Sequence, residues 1–152
     1  MRQSILIPLL GMGLLAGPAV AQDFDPALMD CVVRTRIALD QAQLDLERGG
    51  DQRVADLVSI LQPTATGLVM LMTEQADCSR PISDMTEALS LVQSGIEAEF
   101  EQRVAEGMAG PEAYAETILN PVRACGSDMG LEQIAAAFQR FETNGYACGW
   151  GQ

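Results

Sequence analysis

The chain predicts an all-α fold, a small bundle of four to five amphipathic helices held by two disulfides. Three observations carry this. After residue 26, apolar residues recur at steps of three and four; glycines and prolines punctuate those stretches; and four cysteines lie far apart, at 31, 78, 125 and 148. No alternation of the strand type interrupts the pattern.

The first segment reads as an address. Met1-Arg2 is a cationic start, Ile5 to Leu15 is apolar apart from one proline and two glycines, and Ala19-Val20-Ala21 is an A-x-A site before Gln22. That is the pattern of a secretory signal peptide (residues 1–21) cut after Ala21, which predicts a periplasmic or secreted protein in an oxidising compartment. The competing reading, an uncleaved anchor, is weakened by the 17-residue length of Ile5 to Ala21 and its two prolines. A lipid anchor would need a cysteine after the cut, and the first is Cys31. Residues 22–152 then form a single helical domain, with no later run expected to reach the roughly 20 apolar residues of a spanning helix.

Asp25 before Pro26 predicts an N-cap with proline in the first turn, a better use of Asp23 and Asp25 than cation binding. A first helix follows from about Pro26 to Arg48, with Leu28, Val32, Thr35, Leu39, Ala42 and Leu46 on one stripe. Gly49-Gly50 ends it and Asp51 caps the next, so the two helices form an antiparallel hairpin. The second helix, about Gln52 to Ala76, turns Val54, Val58, Leu61, Ala65, Leu68 and Met72 inward. Pro63 predicts a kink or break near Leu61–Pro63, loosened further by Thr64 to Gly67. Leu68 to Met72 is apolar all round and predicts a place between helices; its two methionines read as core, not as copper ligands.

Asp77 to Pro81 is a turn, and Ser83 caps a third helix reaching about Glu106, with Met85, Leu89, Val92, Ile96, Phe100 and Val104 inward. Pro111 opens a short fourth helix through Tyr114 to Leu119. Asn120-Pro121 is expected to break or bend it before a turn resumes to Cys125. Gly126-Ser127-Asp128 reads as the next turn, and a fifth helix carries Leu131, Ile134, Ala135, Phe138 and Phe141 up to a cap at Asn144-Gly145. The tail holds the only tryptophan, Trp150. Residues 51–56 and 101–106 share Gln-Arg-Val-Ala, which reads as a coincidence of helical composition, not a repeat.

The cysteines read as structural staples. With helices alternating in direction, Cys31 and Cys78 fall at one end, which predicts Cys31–Cys78 and Cys125–Cys148. The first closes a loop of about 48 residues and contributes roughly 4 kcal/mol. No C-x-x-C occurs, so a thioredoxin-type pair is disfavoured, and the spacings do not suit a zinc site.

Charge and absences bound the function. The nine basic residues are all arginine, one of them in the signal segment, against 21 acids, so the mature chain carries −13. Such a surface repels nucleic acid and suits a basic protein or peptide partner. Without histidine or lysine, Ser-His-Asp and Cys-His catalysis, Schiff-base lysines and histidine metal sites are excluded. No catalytic, cofactor-binding or metal residue is assigned, and no cofactor is expected. The reading that remains is a non-enzymatic binding protein with an acidic surface. Two alternatives stand beside it: a small-molecule carrier with a pocket beside Leu68 to Met72, and a hydrolase using only Glu97, Glu101 and Tyr114. Glu97 and Glu101 share a helix face, but a solvated acidic face accounts for them more simply.

Overall fold

The computed structural model describes residues 24–75 and 82–145, and among them all regular structure is helical. The elements are α1 (Pro26–Glu47), α2 (Gln52–Gln75), α3 (Ile82–Ala105), α4 (Gly110–Tyr114), a π turn (Ala115–Leu119), α5 (Asn120–Met129) and α6 (Leu131–Asn144). The signal segment, the Asp77–Pro81 turn and the tail with Trp150 lie outside the described residues, as do Cys78 and Cys148.

α1 starts where its cap requires. Asp25 accepts a hydrogen bond from the Ala27 amide at 3.0 Å, and Pro26, with no amide hydrogen to satisfy, takes the first helical position. At the other end the chain turns through Gly49, whose φ of +95° is open to glycine at little cost. α2 then runs back along α1 as the hairpin expected from the sequence. α1 is the central rod. It packs on α2 on one side and on α3, the π turn and α5 on the other, while α6 lies against α2.

That central place explains why α1 buries more than one stripe. Leu28, Val32, Thr35 and Ala42 are buried as expected, but so are Met29, Cys31, Val33 and Ala38, whereas Leu46 at the far end is exposed. Two apolar clusters follow along its length. The first gathers Phe24, Leu28, Met29 and Val32 with Leu68, Met72, Met85 and Ile134; the second gathers Val33, Ala38 and Ala42 with Leu61, Ile96 and Ile118. Full burial of a side chain such as Leu28 or Leu68 contributes about 1.5–3 kcal/mol.

Four local expectations are corrected. α2 is not broken at Pro63, which lies inside a continuous helix. The ring removes one ladder bond, the one to the Ser59 carbonyl, and the helix continues through it; the hydroxyls of Thr64 and Thr66 bond back to the carbonyls of Ile60 and Gln62 at 2.7 and 3.0 Å one turn earlier. Nor is Gly67 a point of looseness. A Cβ built there would stand 2.7 Å from Ile134 Cγ2 and closer still to the Ile134 carbonyl oxygen, so α2 and α6 cross at a position only glycine fits. The third helix starts at Ile82, which places Ser83 inside it instead of at its cap.

The fourth correction concerns residues 110–129. The chain does not break at Asn120-Pro121, nor turn at Gly126 to Asp128; it stays helical from Gly110 to Met129 by inserting the π turn before Pro121. Helices accommodate a proline when the turn before it is relaxed and the orphaned carbonyl finds another donor. The single residue Gly130, at φ +75°, then separates α5 from α6, and Gly145, at φ +72°, closes α6 with its amide on the Phe141 carbonyl at 2.7 Å.

The disulfide is also corrected. Cys31 of α1 is bonded to Cys125 of α5, with Cα atoms 5.7 Å apart, and not to Cys78; the expected Cys125–Cys148 pair is excluded with it. With helices alternating in direction Cys125 is also expected near the end that holds Cys31, and the packing of α5 directly on α1 makes it the partner.

α2 corrects one more expectation. Gln52–Glu74 is long and apolar enough, at 23 residues, to meet the length and composition of a membrane span, yet it packs against α1 and α6.

Candidate functional site

Three features stand out once the helices are placed: an ion-paired arginine inside the bundle, a groove over α2, α5 and α6, and an acidic cleft between α1, α3 and α4.

Arg34 sits on the inner side of α1 with its side chain only 12% exposed. Its guanidinium has three acceptors on three elements. Nε donates to Asp30 one turn earlier at 2.9 Å, Nη2 donates to Glu99 of α3 at 3.0 Å, and Nη1 donates to the Thr117 carbonyl in the π turn. Thr117 is four residues before Pro121, whose missing amide hydrogen cannot bond that carbonyl, so Arg34 supplies the donor. Burial works against the charge on Arg34, but its bonds to Asp30 and Glu99 outweigh it and hold the guanidinium above its ordinary range. Glu99 also accepts from Arg103 at 3.0 Å. Burial opposes its charge too, and the bonds from Arg34 and Arg103 overcome it, keeping the carboxyl below its usual range. Arg34 and Glu99 are each engaged by more than one partner, which suits a brace better than a reaction centre, although Arg103 Nε and the Thr117 hydroxyl beside them are buried without a partner among the described residues.

The groove is open and apolar. A cavity of about 640 Å³ runs between Ile60, Leu61 and Thr64 of α2, Val122 and Gly126 of α5, and Leu131 of α6. A second hollow of about 350 Å³ shares Thr64 and Leu131 and continues along Pro63, Ile134 and Phe138. Two large apolar side chains on its lip are left to water, Ile60 at 63% and Leu131 at 66% exposure, and Leu57 stands exposed one turn before Ile60. Leu57 and Ile60 are apolar residues of α2 in excess of its inward stripe, and that excess is the trace of the groove in the sequence.

The cleft brings together the three residues of the carboxylate reading. Glu97 and Glu101 of α3 and Tyr114 of α4 line one cavity of about 380 Å³, with Ile37 and Gln41 of α1, Ile96 and Phe100 of α3, and Ile118 of the π turn. Both carboxylates are nevertheless exposed on the helix surface, and Glu97 accepts a bond from Gln93 at 2.8 Å. A catalytic carboxylic acid is ordinarily set in an apolar surround, which neither has. Tyr114 is half-buried, and that burial, reinforced by the nearby Asp45 carboxylate, pushes its phenol up, so it stays protonated at neutral pH.

For the carrier reading, Leu68 and Met72 are fully buried in the first cluster, while Val69 and Met70 border a hollow of about 310 Å³ against Arg36 and Asp40. Among the described residues, no three Cys, Asp or Glu side chains converge as metal ligands.

The fold is thus that of a disulfide-linked, all-helical bundle. No protein family, curated protein or solved structure matches the chain.

Proposed function

We propose that this is a secreted or periplasmic, non-enzymatic binding protein whose α2–α5–α6 groove takes an apolar, basic segment of a protein partner. The observation that carries the reading is apolar surface without cover: Ile60 and Leu131 flank the groove and stand largely in water. A bundle with enough apolar residues to fill two clusters gains nothing in stability from leaving these two exposed, and contiguous exposed apolar surface marks an interaction site. The charge of −12 on the full chain favours a cationic partner and speeds its encounter. Two disulfides in the mature protein, the second between Cys78 and Cys148, belong to the same reading. The ends of α2 and α6 that precede these cysteines are held together by Arg140, which makes a two-pronged bond to Glu74 at 2.7 Å for each prong.

Fluorescence polarisation with two synthetic amphipathic helices tests the groove, one of leucine and lysine, the other of leucine and glutamate in the same pattern. The Leu–Lys helix should bind at low salt and the Leu–Glu helix should not. The double variant I60S/L131S, with unchanged helical circular dichroism, should bind the Leu–Lys helix about tenfold more weakly. Equal binding by this variant and the native chain would overturn the proposal.

A further inference from the structure

The cleft between α1, α3 and α4 is built from helices that do not line the groove, and its chemistry is different. Its floor is apolar, with Ile37, Ile96 and Ile118; two aromatic rings, Phe100 and Tyr114, form part of its wall; and its polar lining is Gln41, Glu97, Glu101 and the Tyr114 hydroxyl. None of the residues that line it is cationic. The nearest acidic network shows what an arginine would do here: Glu99, one residue from Phe100, is engaged by both Arg34 and Arg103. Glu101, by contrast, has no hydrogen-bond or ion-pair partner among the described residues, and Glu97 is met only by the neutral amide of Gln93. Asp45 adds a third negative charge close enough to act on Tyr114, and it too is met only by an amide, that of Gln41 at 2.8 Å.

From this juxtaposition we infer that the cleft is a binding site for a small organic cation, an ammonium carried on an apolar or aromatic body. The carboxylates of Glu97 and Glu101 supply the opposite charge, the aromatic rings of Phe100 and Tyr114 line the same hollow, and the isoleucines take the apolar body. Aromatic faces bind ammonium groups with little dehydration cost, and paired carboxylates add attraction without requiring a fixed hydrogen-bond geometry. A volume of about 380 Å³ accommodates a molecule of the size of a substituted phenylammonium. An inorganic cation would be poorly served, because two carboxylates on one exposed helix face leave most of its coordination to water. The inference does not depend on the groove and stands or falls separately.

Isothermal titration calorimetry of the whole mature protein with phenyltrimethylammonium tests it, with benzenesulfonate as the charge-reversed control. Saturable binding with a dissociation constant on the order of 1 mM is expected for the cation, and none for the sulfonate. E97Q/E101Q should weaken the cation about tenfold, and F100L, which keeps the apolar volume and removes the ring, several-fold. The remote double variant D56N/E132Q removes the same charge from the groove side and should leave binding unchanged. Absence of saturable binding, or an equal loss in D56N/E132Q, would overturn the inference by showing no site or only diffuse attraction to an acidic surface. Retained affinity in E97Q/E101Q would do so as well.

Discussion

Cys31 and Cys125 are joined across 94 positions of sequence, tying the first turns of α1 to the middle of α5. The bond spans most of the bundle, so everything from α2 to the π turn lies within the loop that it closes. Cross-links of long loops remove the most freedom from the unfolded chain.

Peptide mapping without reductant should therefore recover a Cys31–Cys125 peptide, and by remainder a Cys78–Cys148 peptide. The chain-entropy relation gives about 4–5 kcal/mol for a loop of this length, so C31S should lower the free energy of unfolding by roughly that amount. Recovery of a Cys31–Cys78 peptide would contradict the packing of α5 on α1.

Arg34 is the next point of leverage. Methionine at this position keeps the aliphatic stem but leaves Glu99 and the Thr117 carbonyl short of a donor, at a cost of about 1–3 kcal/mol, since water and Arg103 still reach Glu99. Lysine should rescue little of it, because one ammonium cannot meet acceptors on α1, α3 and the π turn in the plane that a guanidinium provides. Urea unfolding of R34M and R34K measures both.

Acid should weaken the protein through this cluster and through the separate Glu74–Arg140 pair. The carboxyls of Glu99 and Glu74 are both held below their ordinary range, Glu99 against its own burial by Arg34 and Arg103, and Glu74 chiefly by its bond from Arg140. A depressed folded-state pKa means that the unfolded chain binds more protons in the window between the two values. The stabilisation is full above the unfolded value, about 4.3 for glutamate, and is lost as pH falls through the folded value. E99Q and E74Q should each flatten that part of the stability–pH curve, measured by denaturant midpoints below pH 5. A curve unchanged by both would show that neither pair matters.

Gly67 should tolerate no side chain. Alanine there would press on the backbone of Ile134 and push α6 off α2, an overpacking cost of about 1–3 kcal/mol. Hydrogen exchange should show the loss first in α6, ahead of α1. Protection that falls evenly across the bundle would argue against a local displacement.

The places where sequence and structure agree share a cause. The boundaries of α1, the Asp25 cap, the Gly49 turn and the inward stripes of α2 and α3 (all but Val104, which is exposed) are local properties, fixed by residues a few positions apart. Several of the disagreements involve distant partners. Asn120-Pro121 reads as a break or bend, yet Arg34, on another helix, donates to the Thr117 carbonyl that Pro121 has no amide hydrogen to bond. Gly67 read as looseness because its neighbour Ile134 lies on another helix. The cleft is half legible: Glu97, Glu101 and Tyr114 stand out by their chemistry, while Phe100 reads only as a core position and Gln41 only as a polar residue off the inward stripe of the first helix. The groove was invisible, since exposure of Ile60 and Leu131 is decided by what the rest of the chain fails to cover.

The π turn has a geometric consequence for the site and the cross-link together. Each residue of an α-helix advances about 100° around the axis, and a π turn fits one residue more into the turn. Were residues 110–129 an unbroken α-helix, everything beyond Leu119 would be swung more than a quarter of a revolution relative to Tyr114. Tyr114 and Ile118 could then look into the cleft, or Cys125 could look at Cys31, but one rod could not do both. The wider turn sets the phase between its two halves.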